Sequence, residues 1–328
     1  MTTVVYAGIA HAVMPEQTLL DCLTAAGIAV PSACRAGVCQ SCLMRAVEGQ
    51  VPPESQAGLK PTMAAQGYFM ACRCKPRTPL TVVLPDAATL QQTAEVLGIE
   101  ALNPDIVAVR LRPSRPMAYR AGQFIRLFKD DAQSRCYSLA SVPELDEALE
   151  IHVRAVPGGE VSGWVHRTLR PGDAVRIADS SGACFYVEDR PDQPLLLLGT
   201  GSGLAPLLGI VRDALHRGHR GPVVLYHGST GAQGLYRVDS LRALAAAHPQ
   251  FRYVPCVSEG TPPAGLRAGT PLEVALADQP DLSGWRVFLC GHPELVRQGK
   301  MQAFLAGAAM TDIHADPFVP SGTFASAA

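Results

Sequence analysis

The chain has 328 residues, 28 Lys and Arg against 29 Asp and Glu, and 48% hydrophobic residues, enough for two or three domains with their own cores. Its even charge leaves no field of one sign to gather nucleic acid or anionic lipid. No apolar run approaches the ~18 residues that cross a bilayer, and Val4-Val5-Tyr6 follows no cationic start, so the expectation is a cytoplasmic protein without a membrane or nucleic-acid partner.

The first block, residues 1–86, opens with a strand at Val4-Val5-Tyr6. A helix follows, with Leu19, Leu20 and Leu23 at helical spacing after Thr18 as cap. A cysteine loop comes next, then a strand from Leu43 to Val47, a Pro/Gly-rich connection from Gly49 to Pro61, and a closing strand near Leu80 to Leu84. Four cysteines, Cys34, Cys39, Cys42 and Cys72, stand in the order C-x4-C-x2-C-x29-C. Three thiols in nine residues converge when the chain loops around a small object, and Gly37 lets backbone approach it. Ten cysteines in a chain of this length do not make a disulfide-dense domain, whereas zinc held by Cys39, Cys42, Cys72 and Cys74 is an alternative that leaves Cys34 idle.

The cysteine spacing resembles that of plant-type [2Fe–2S] ferredoxins, and Tyr68-Phe69-Met70-Ala71-Cys72 resembles the short strand that ends on their last ligand. That likeness implies a β-grasp fold with Cys34, Cys39, Cys42 and Cys72 holding the cluster, and it selects Cys72 over Cys74. Such clusters have potentials of about −400 mV, matched to electrons from nicotinamide. The polar stretch Ala87 to Thr93 reads as a linker.

The second block, residues 94–190, carries short β-like runs at Val107 to Leu111, Gln123 to Phe128 and Ala174 to Ala178, with one helix at Val161 to Leu169; this indicates a small antiparallel barrel. Within it lies Arg135-Cys136-Tyr137-Ser138, preceded by Tyr119-Arg120-Ala121-Gly122-Gln123-Phe124 and followed by His152-Val153-Arg154 and Val156-Pro157-Gly158-Gly159-Glu160-Val161-Ser162. These segments, in this order, resemble the flavin-binding motifs of the ferredoxin-NADP reductase superfamily, with Ala121 where proline is usual. The resemblance implies FAD: Arg135 on the pyrophosphate, Tyr137 against the isoalloxazine and Ser138 toward N5. It places His152, Val153, Gly159, Val161 and Ser162 along the flavin as well. Strand alternation puts Arg135 and Tyr137 on one face and Ser138 on the other.

The third block, residues 191–328, alternates strands and helices. Leu195 to Leu198 is a continuous apolar run, the mark of a strand buried on both faces of a parallel sheet, and it leads into Gly199-Thr200-Gly201-Ser202-Gly203-Leu204-Ala205-Pro206. Leu204, Leu207, Leu208, Val211 and Leu215 then recur at helical spacing, so the glycines form a strand-to-helix turn suited to phosphate. The turn resembles the superfamily's G-x-G-x-[GA]-x-A-P motif. Trp285 to Leu289 reads as another strand, and Cys290-Gly291-His292-Pro293 resembles the C-G-x-P motif that seats the nicotinamide. Thus Gly199, Thr200, Gly201, Ser202, Gly203, Cys290 and Gly291 are expected on NAD(P)H, and Phe318, in Ile313-His314-Ala315-Asp316-Pro317-Phe318, over the flavin or in the core. Ser138, Cys290 and Phe318 form the expected catalytic set. His292 reads as a surface residue and Ser321 to Ala328 as a loose tail.

The order ferredoxin, flavin, nucleotide is similar to that of the reductase components of bacterial ring-hydroxylating (Rieske) oxygenases of the naphthalene dioxygenase reductase type. The fold expected is therefore multidomain α+β and α/β, with a β-grasp ferredoxin, a flavin-binding barrel and a parallel-sheet nucleotide domain. The resemblance implies an NAD(P)H-dependent oxidoreductase that passes electrons through FAD and [2Fe–2S] to an oxygenase component or an intermediary ferredoxin. The docking patch is expected on Arg35, Val38 and Gln40. A diiron monooxygenase, a sugar dehydratase or a cytochrome P450 are alternative acceptors, and a ferredoxin carrier is the non-enzymatic one. Thr230 stands near where relatives carry an arginine for the 2′-phosphate, so NADH is expected over NADPH, with Arg237 as a remaining phosphate partner.

Overall fold

The computed structural model describes residues 1–30, 32, 42–59, 61–84, 91–130 and 133–318. It divides into two compact units, Met1–Thr89 and Leu90–Ala328. The first contains β1 (Thr2–Tyr6), β2 (Ile9–Val13), α1 (Leu19–Ala25), β3 (Leu43–Glu48), α2 (Pro61–Ala65), β4 (Tyr68–Met70) and β5 (Leu80–Val83). Its five strands run in the order β2-β1-β5-β3-β4, with β1 and β5 a parallel central pair. The Thr18 hydroxyl oxygen accepts the Asp21 amide at 3.2 Å, and Asp21 adds negative charge to the first turn of α1. Leu19, Leu20 and Leu23 are thereby turned onto the sheet, into a core shared with Met44, Phe69 and Val82.

The second unit opens with a barrel. Its elements are β6 (Gln91–Ala101), β7 (Ile106–Pro113), β8 (Phe124–Phe128), β9 (Ser134–Ser138), β10 (Leu149–Arg154), α3 (Glu160–Arg167) and β11 (Ala174–Ala178). The order is β10-β7-β6-β11-β8-β9, and one bridge between Leu139 and Ile151 joins its two ends. The linker expected at Ala87 to Thr93, and a barrel starting at residue 94, need correction: Gln91, Gln92 and Thr93 already pair with β11. Gln92 and Ala94 are buried while Gln91, Thr93 and Glu95 are exposed, so this half-buried strand looks polar when read in sequence.

The remainder is a parallel sheet with helices on both faces: β12 (Leu195–Thr200), α4 (Leu204–His216), β13 (Val223–Ser229), α5 (Val238–Ala247), β14 (Phe251–Val257), β15 (Arg267–Ala268), α6 (Pro271–Asp278), β16 (Arg286–Gly291), α7 (Pro293–Leu305) and β17 (Ile313–Pro317). The strand order is β15-β14-β13-β12-β16-β17. Leu195 and Leu197 pack with α4 and α5, Leu196 and Leu198 with α6 and α7, which is why the run shows no polar alternation. Among the described residues no helix is long and apolar enough to cross a membrane.

Barrel and parallel sheet are tied together by charge and by packing. Arg212 on α4 makes a bidentate pair with Asp146 at 2.8 and 2.9 Å, and Ile106, Cys184 and Tyr186 of the barrel join the α4 core. Arg286, 1% exposed, is satisfied by Asp189, Asp312 and the Val187 carbonyl. On β10, His152 hydrogen-bonds through Nδ1 to the Tyr236 hydroxyl and through Nε2 to Glu150, each at 3.0 Å. His227 on β13 meets the Tyr236 ring edge-on and hydrogen-bonds Tyr253 at 3.1 Å.

Burial pushes His227 down to about 3, so it stays neutral in the fold while an unfolded histidine charges near 6.5. The unfolded chain therefore takes up the extra proton first as pH falls. Stability present above about pH 6.5 is lost progressively toward pH 3. Urea unfolding across this window should show that loss, and His227→Phe should flatten it; an unchanged slope in the variant would exclude His227 as its source.

Candidate functional site

The ferredoxin-like unit brings Cys42 and Cys72 together. The Ala71 amide donates to the Cys42 carbonyl at 3.0 Å, in line with the β3–β4 pairing that sets Leu43 opposite Met70. Both cysteines are largely buried; Cys34 and Cys39, like the docking residues Arg35, Val38 and Gln40, lie outside the described residues. Cys74 is fully buried beside Ser55, and burial raises its thiol to about 12. The thiols at Cys42 and Cys72 fit two corners of a cluster cage.

In the barrel, β9 and β10 are the terminal strands and share only one bridge, so a seam runs between Arg135 to Ser138 on one side and His152 to Arg154 on the other. Arg135 is exposed, Tyr137 half-buried and Ser138 buried; burial lifts the Tyr137 phenol to about 12. At the head of α3 the chain folds tightly. A Cβ on Gly159 would lie 2.5 Å from Ser162 Oγ and 3.0 Å from the Val156 carbonyl, so a larger residue there would displace the Ser162 hydroxyl from the turn. The Ser162 hydroxyl accepts the Val156 amide at 3.2 Å and donates to the Gly159 carbonyl at 3.4 Å. It is thus spent on the turn, and backbone amides are what this helix end offers an anion. His152 likewise commits its side chain to Glu150 and Tyr236, and Val153 gives its carbonyl to His166 at 2.9 Å, while Val161 points into the core. These residues present backbone to the seam.

The two nucleotide motifs meet at the carboxyl ends of β12 and β16. From β12 the chain winds outward through β13, β14 and β15, and β16 and β17 lie on its other side, so the crevice between β12 and β16 is the topological switch point. There Gly199, Thr200, Gly201, Ser202 and Gly203 turn from β12 into α4. A Cβ on Gly203 would lie 2.4 Å from the Cys290 carbonyl and 2.7 Å from Gly291 Cα. The His292 amide donates to Thr200 Oγ1 at 3.3 Å, and the Phe318 amide donates to the Gly291 carbonyl at 2.8 Å. His292 itself is exposed and caps α7, accepting the Glu294 amide at 3.3 Å.

Between seam and crevice lies a group that sequence reasoning only partly identified. Ser138 Oγ donates to Asp316 Oδ2 at 2.9 Å, joining β9 to β17 across 178 positions of sequence. Asp316 pairs with Cys290 across β16 and β17. Burial lifts the Asp316 carboxyl above its ordinary range, opposed by the hydrogen bond it accepts from the Ser138 hydroxyl. Cys290 is fully buried, remains a thiol because burial pushes it well up, and lies 3.6 Å from Cys184 Sγ. Neither Asp316 nor Cys184 is in the expected set. Arg154, in the His152-Val153-Arg154 segment but not in the expected site, pairs with Asp105 at 2.8 Å, and its guanidinium lies 3.8 Å from where a Cβ on Gly201 would sit, placing a cation beside the glycine turn. The seam, the Gly203 cradle and the cation fit a flavin beside a dinucleotide.

Comparison with known proteins agrees. Residues 7–77 match the 2Fe-2S iron-sulfur cluster binding domain family, 93–186 the oxidoreductase FAD-binding domain and 197–300 the oxidoreductase NAD-binding domain. The chain is 32% identical over 310 residues to the ferredoxin–NAD(P)(+) reductase component of the naphthalene 1,2-dioxygenase system of Pseudomonas putida, covering 93% of this chain and 94% of the relative. It is 35% identical over 323 residues to the reductase subunit of an aromatic O-demethylase from Amycolatopsis sp., covering 94% and 95%. The crystal structure of the Amycolatopsis cytochrome P450 reductase GcoB superposes with a TM-score of 0.69 at 33% identity, over 98% of this chain and 99% of that one.

Because Gly203 has no room for a methyl group, Gly203→Ala should push the β12 turn off the Cys290–Gly291 backbone. The variant should lose most NADH-dependent flavin reduction in stopped flow while binding FAD normally. Retention of the unaltered rate would exclude this contact as part of the dinucleotide cradle.

Proposed function

This chain belongs to the family of ferredoxin-NADP reductase-type reductase components fused to a plant-type ferredoxin domain, and from that premise we propose that its acceptor is an aromatic-ring-hydroxylating oxygenase component or a ferredoxin serving one. It is an NAD(P)H-dependent oxidoreductase that uses FAD and a [2Fe–2S] cluster. When bound, FAD takes two electrons together from NADH and the cluster releases them singly, so that NADH and two oxidised acceptors give NAD+, a proton and two reduced acceptors.

The observation that carries the reading is the meeting of Ser138 with Asp316 beside Cys290, which brings the flavin seam and the nucleotide crevice to one place. In this reading Arg135 holds the FAD pyrophosphate, Tyr137 packs on the ring, and Ser138 and Asp316 hold a proton near N5. Gly159 and the start of α3 add backbone donors, with His152, Val153, Val161 and Ser162 shaping that wall. Gly199 to Gly203 and Arg154 receive the dinucleotide phosphates, while Cys290, Gly291 and Phe318 bound the nicotinamide seat. Cys34, Cys39, Cys42 and Cys72 hold the cluster. The setting proposed is the cytoplasm, where NADH is supplied.

A second reading, a cytochrome P450 as acceptor, is favoured by the likeness to the O-demethylase reductase subunit and to the cytochrome P450 reductase. Steady-state reduction of a purified Rieske oxygenase component and of a cytochrome P450 by the same preparation separates the two. A P450 reduced at least tenfold faster would displace the oxygenase.

NADH is the proposed donor. Thr230 brings no charge, and Arg237 is engaged by Glu100 at 3.1 Å and by Glu150 at 3.7 Å, so neither presents a free cation to a 2′-phosphate. The purified protein should contain one FAD, two irons and two acid-labile sulfides. Serine at Cys34, Cys39, Cys42 or Cys72 should abolish cluster-dependent cytochrome c reduction and spare NADH–ferricyanide turnover, whereas Cys74→Ser should leave both activities intact. In kcat/KM, NADH should exceed NADPH. A preference for NADPH, or zinc without labile sulfide, would refute the corresponding assignment.

A further inference from the structure

The segment following the last proposed cluster ligand forms a rigid basic rib. From Cys72 to Arg77 the residues alternate: Cys72, Cys74 and Pro76 are buried, and Arg73, Lys75 and Arg77 are exposed. The rib is anchored to α1 by the Leu19 amide on the Cys74 carbonyl at 2.8 Å and the Leu20 amide on the Ala71 carbonyl at 3.1 Å, so its three cations project from fixed backbone. The cations of residues 1–86 are Arg35, Arg45, Lys60, Arg73, Lys75 and Arg77, and half of them stand within these five positions.

Beside the rib is a concave surface to which Met14, Arg73, Lys75 and Arg77 contribute together with Glu16 and Glu54, three cations against two carboxylates, with Cys72 in its lining. Met14 is 56% exposed, and methionine and arginine are among the residues enriched at protein docking faces. Lys75 pairs with Glu16 at 2.6 Å and Arg77 with Glu54 at 3.3 Å. These are exposed pairs of the weak kind, so carboxylates on a partner can take over either cation. The arrangement places positive charge around a cysteine that holds the cluster.

We infer that the protein electron acceptor docks by an acidic face on Arg73, Lys75 and Arg77, over Cys72. This rests on the reading of the chain as a [2Fe–2S] reductase, and it places docking on the Cys72 side of the cluster. Each encounter moves one electron: the reduced cluster is oxidised, the acceptor is reduced, no proton moves, and NADH supplies the electrons in pairs. Steering by such a rib raises association rates at low ionic strength and fades as salt shortens the screening length.

The test uses the full-length holoprotein with two probes, cytochrome b5 as an acidic one-electron acceptor and cytochrome c as a basic one. In R73E/K75E/R77E the second-order rate of cytochrome b5 reduction should fall about 10-fold or more at low salt. The difference should shrink at ionic strengths well above ~0.15 M, where the Debye length drops below about 8 Å. Cytochrome c reduction should hold or rise, with iron content and NADH–ferricyanide turnover unchanged. The neutral variant R73Q/K75Q/R77Q should fall between. Unchanged cytochrome b5 rates would overturn the inference. So would a slowed reduction of the cluster by NADH in single turnover, which would turn the rib toward the chain's own flavin. Failure of the underlying reading registers separately, as absence of iron and of ferricyanide turnover in the unaltered protein, and removes the inference with it.

Discussion

The second unit is organised by the approach of two turns at the carboxyl ends of β12 and β16. Gly203 passes so near the Cys290 carbonyl and Gly291 Cα that no side-chain atom fits between them. The separation of adjacent parallel strands leaves little choice here, because a strand-to-helix turn that must open its amides to a phosphate has to fold back over its neighbour. Everything nearby is arranged around that closeness. Thr200 accepts the His292 amide, Gly291 accepts the Phe318 amide, and β17 follows β16 in register to bring Asp316 under Ser138.

Charges hold the barrel against this sheet alongside the apolar core it shares with α4. Arg286 is almost completely buried and would be a liability alone; bound by Asp189 and Asp312, it fixes the base of β16 to the segment leading out of the barrel. Arg212 and Arg217 on α4 similarly hold Asp146 and Glu144 of the barrel loop. Removing Asp312 would leave the buried Arg286 charge less compensated, which makes that clamp sensitive to single substitutions, whereas the pairs of Arg212 and Arg217 are partly exposed. Their part in the chemistry is indirect: they keep the seam and the crevice in register.

Much of the fold was legible because the relevant segments obey simple periods. Leu195 to Leu198 announced a doubly covered strand, the Thr18 cap announced α1, and the glycine turn after β12 lay where phosphate chemistry requires it. β2 was missed because Ile9–Val13 is an edge strand with only Val13 buried, and the start of β6 because its inward positions include Gln92. At the site, the sequence motifs pointed to Ser138, Cys290 and Phe318 but could not pair Ser138 with Asp316, since a hydrogen bond between distant strands leaves no local trace. Nor could it tell that the side chains of His152 and Ser162 are occupied by Tyr236, Glu150 and the α3 turn. Motifs specify where backbone must lie; which side chains remain available depends on neighbours that only the tertiary structure supplies.

The Ser138–Asp316 hydrogen bond has a consequence for biogenesis. Its donor belongs to an early barrel strand and its acceptor to the last described strand, so loop-closure entropy makes it among the most expensive contacts of the unit to form. On the ribosome the barrel emerges complete while the sheet that must supply Asp316 is still unsynthesised. A nascent chain can therefore possess the barrel face for a flavin before it possesses the means to reduce it. Redox competence waits on the last described strand.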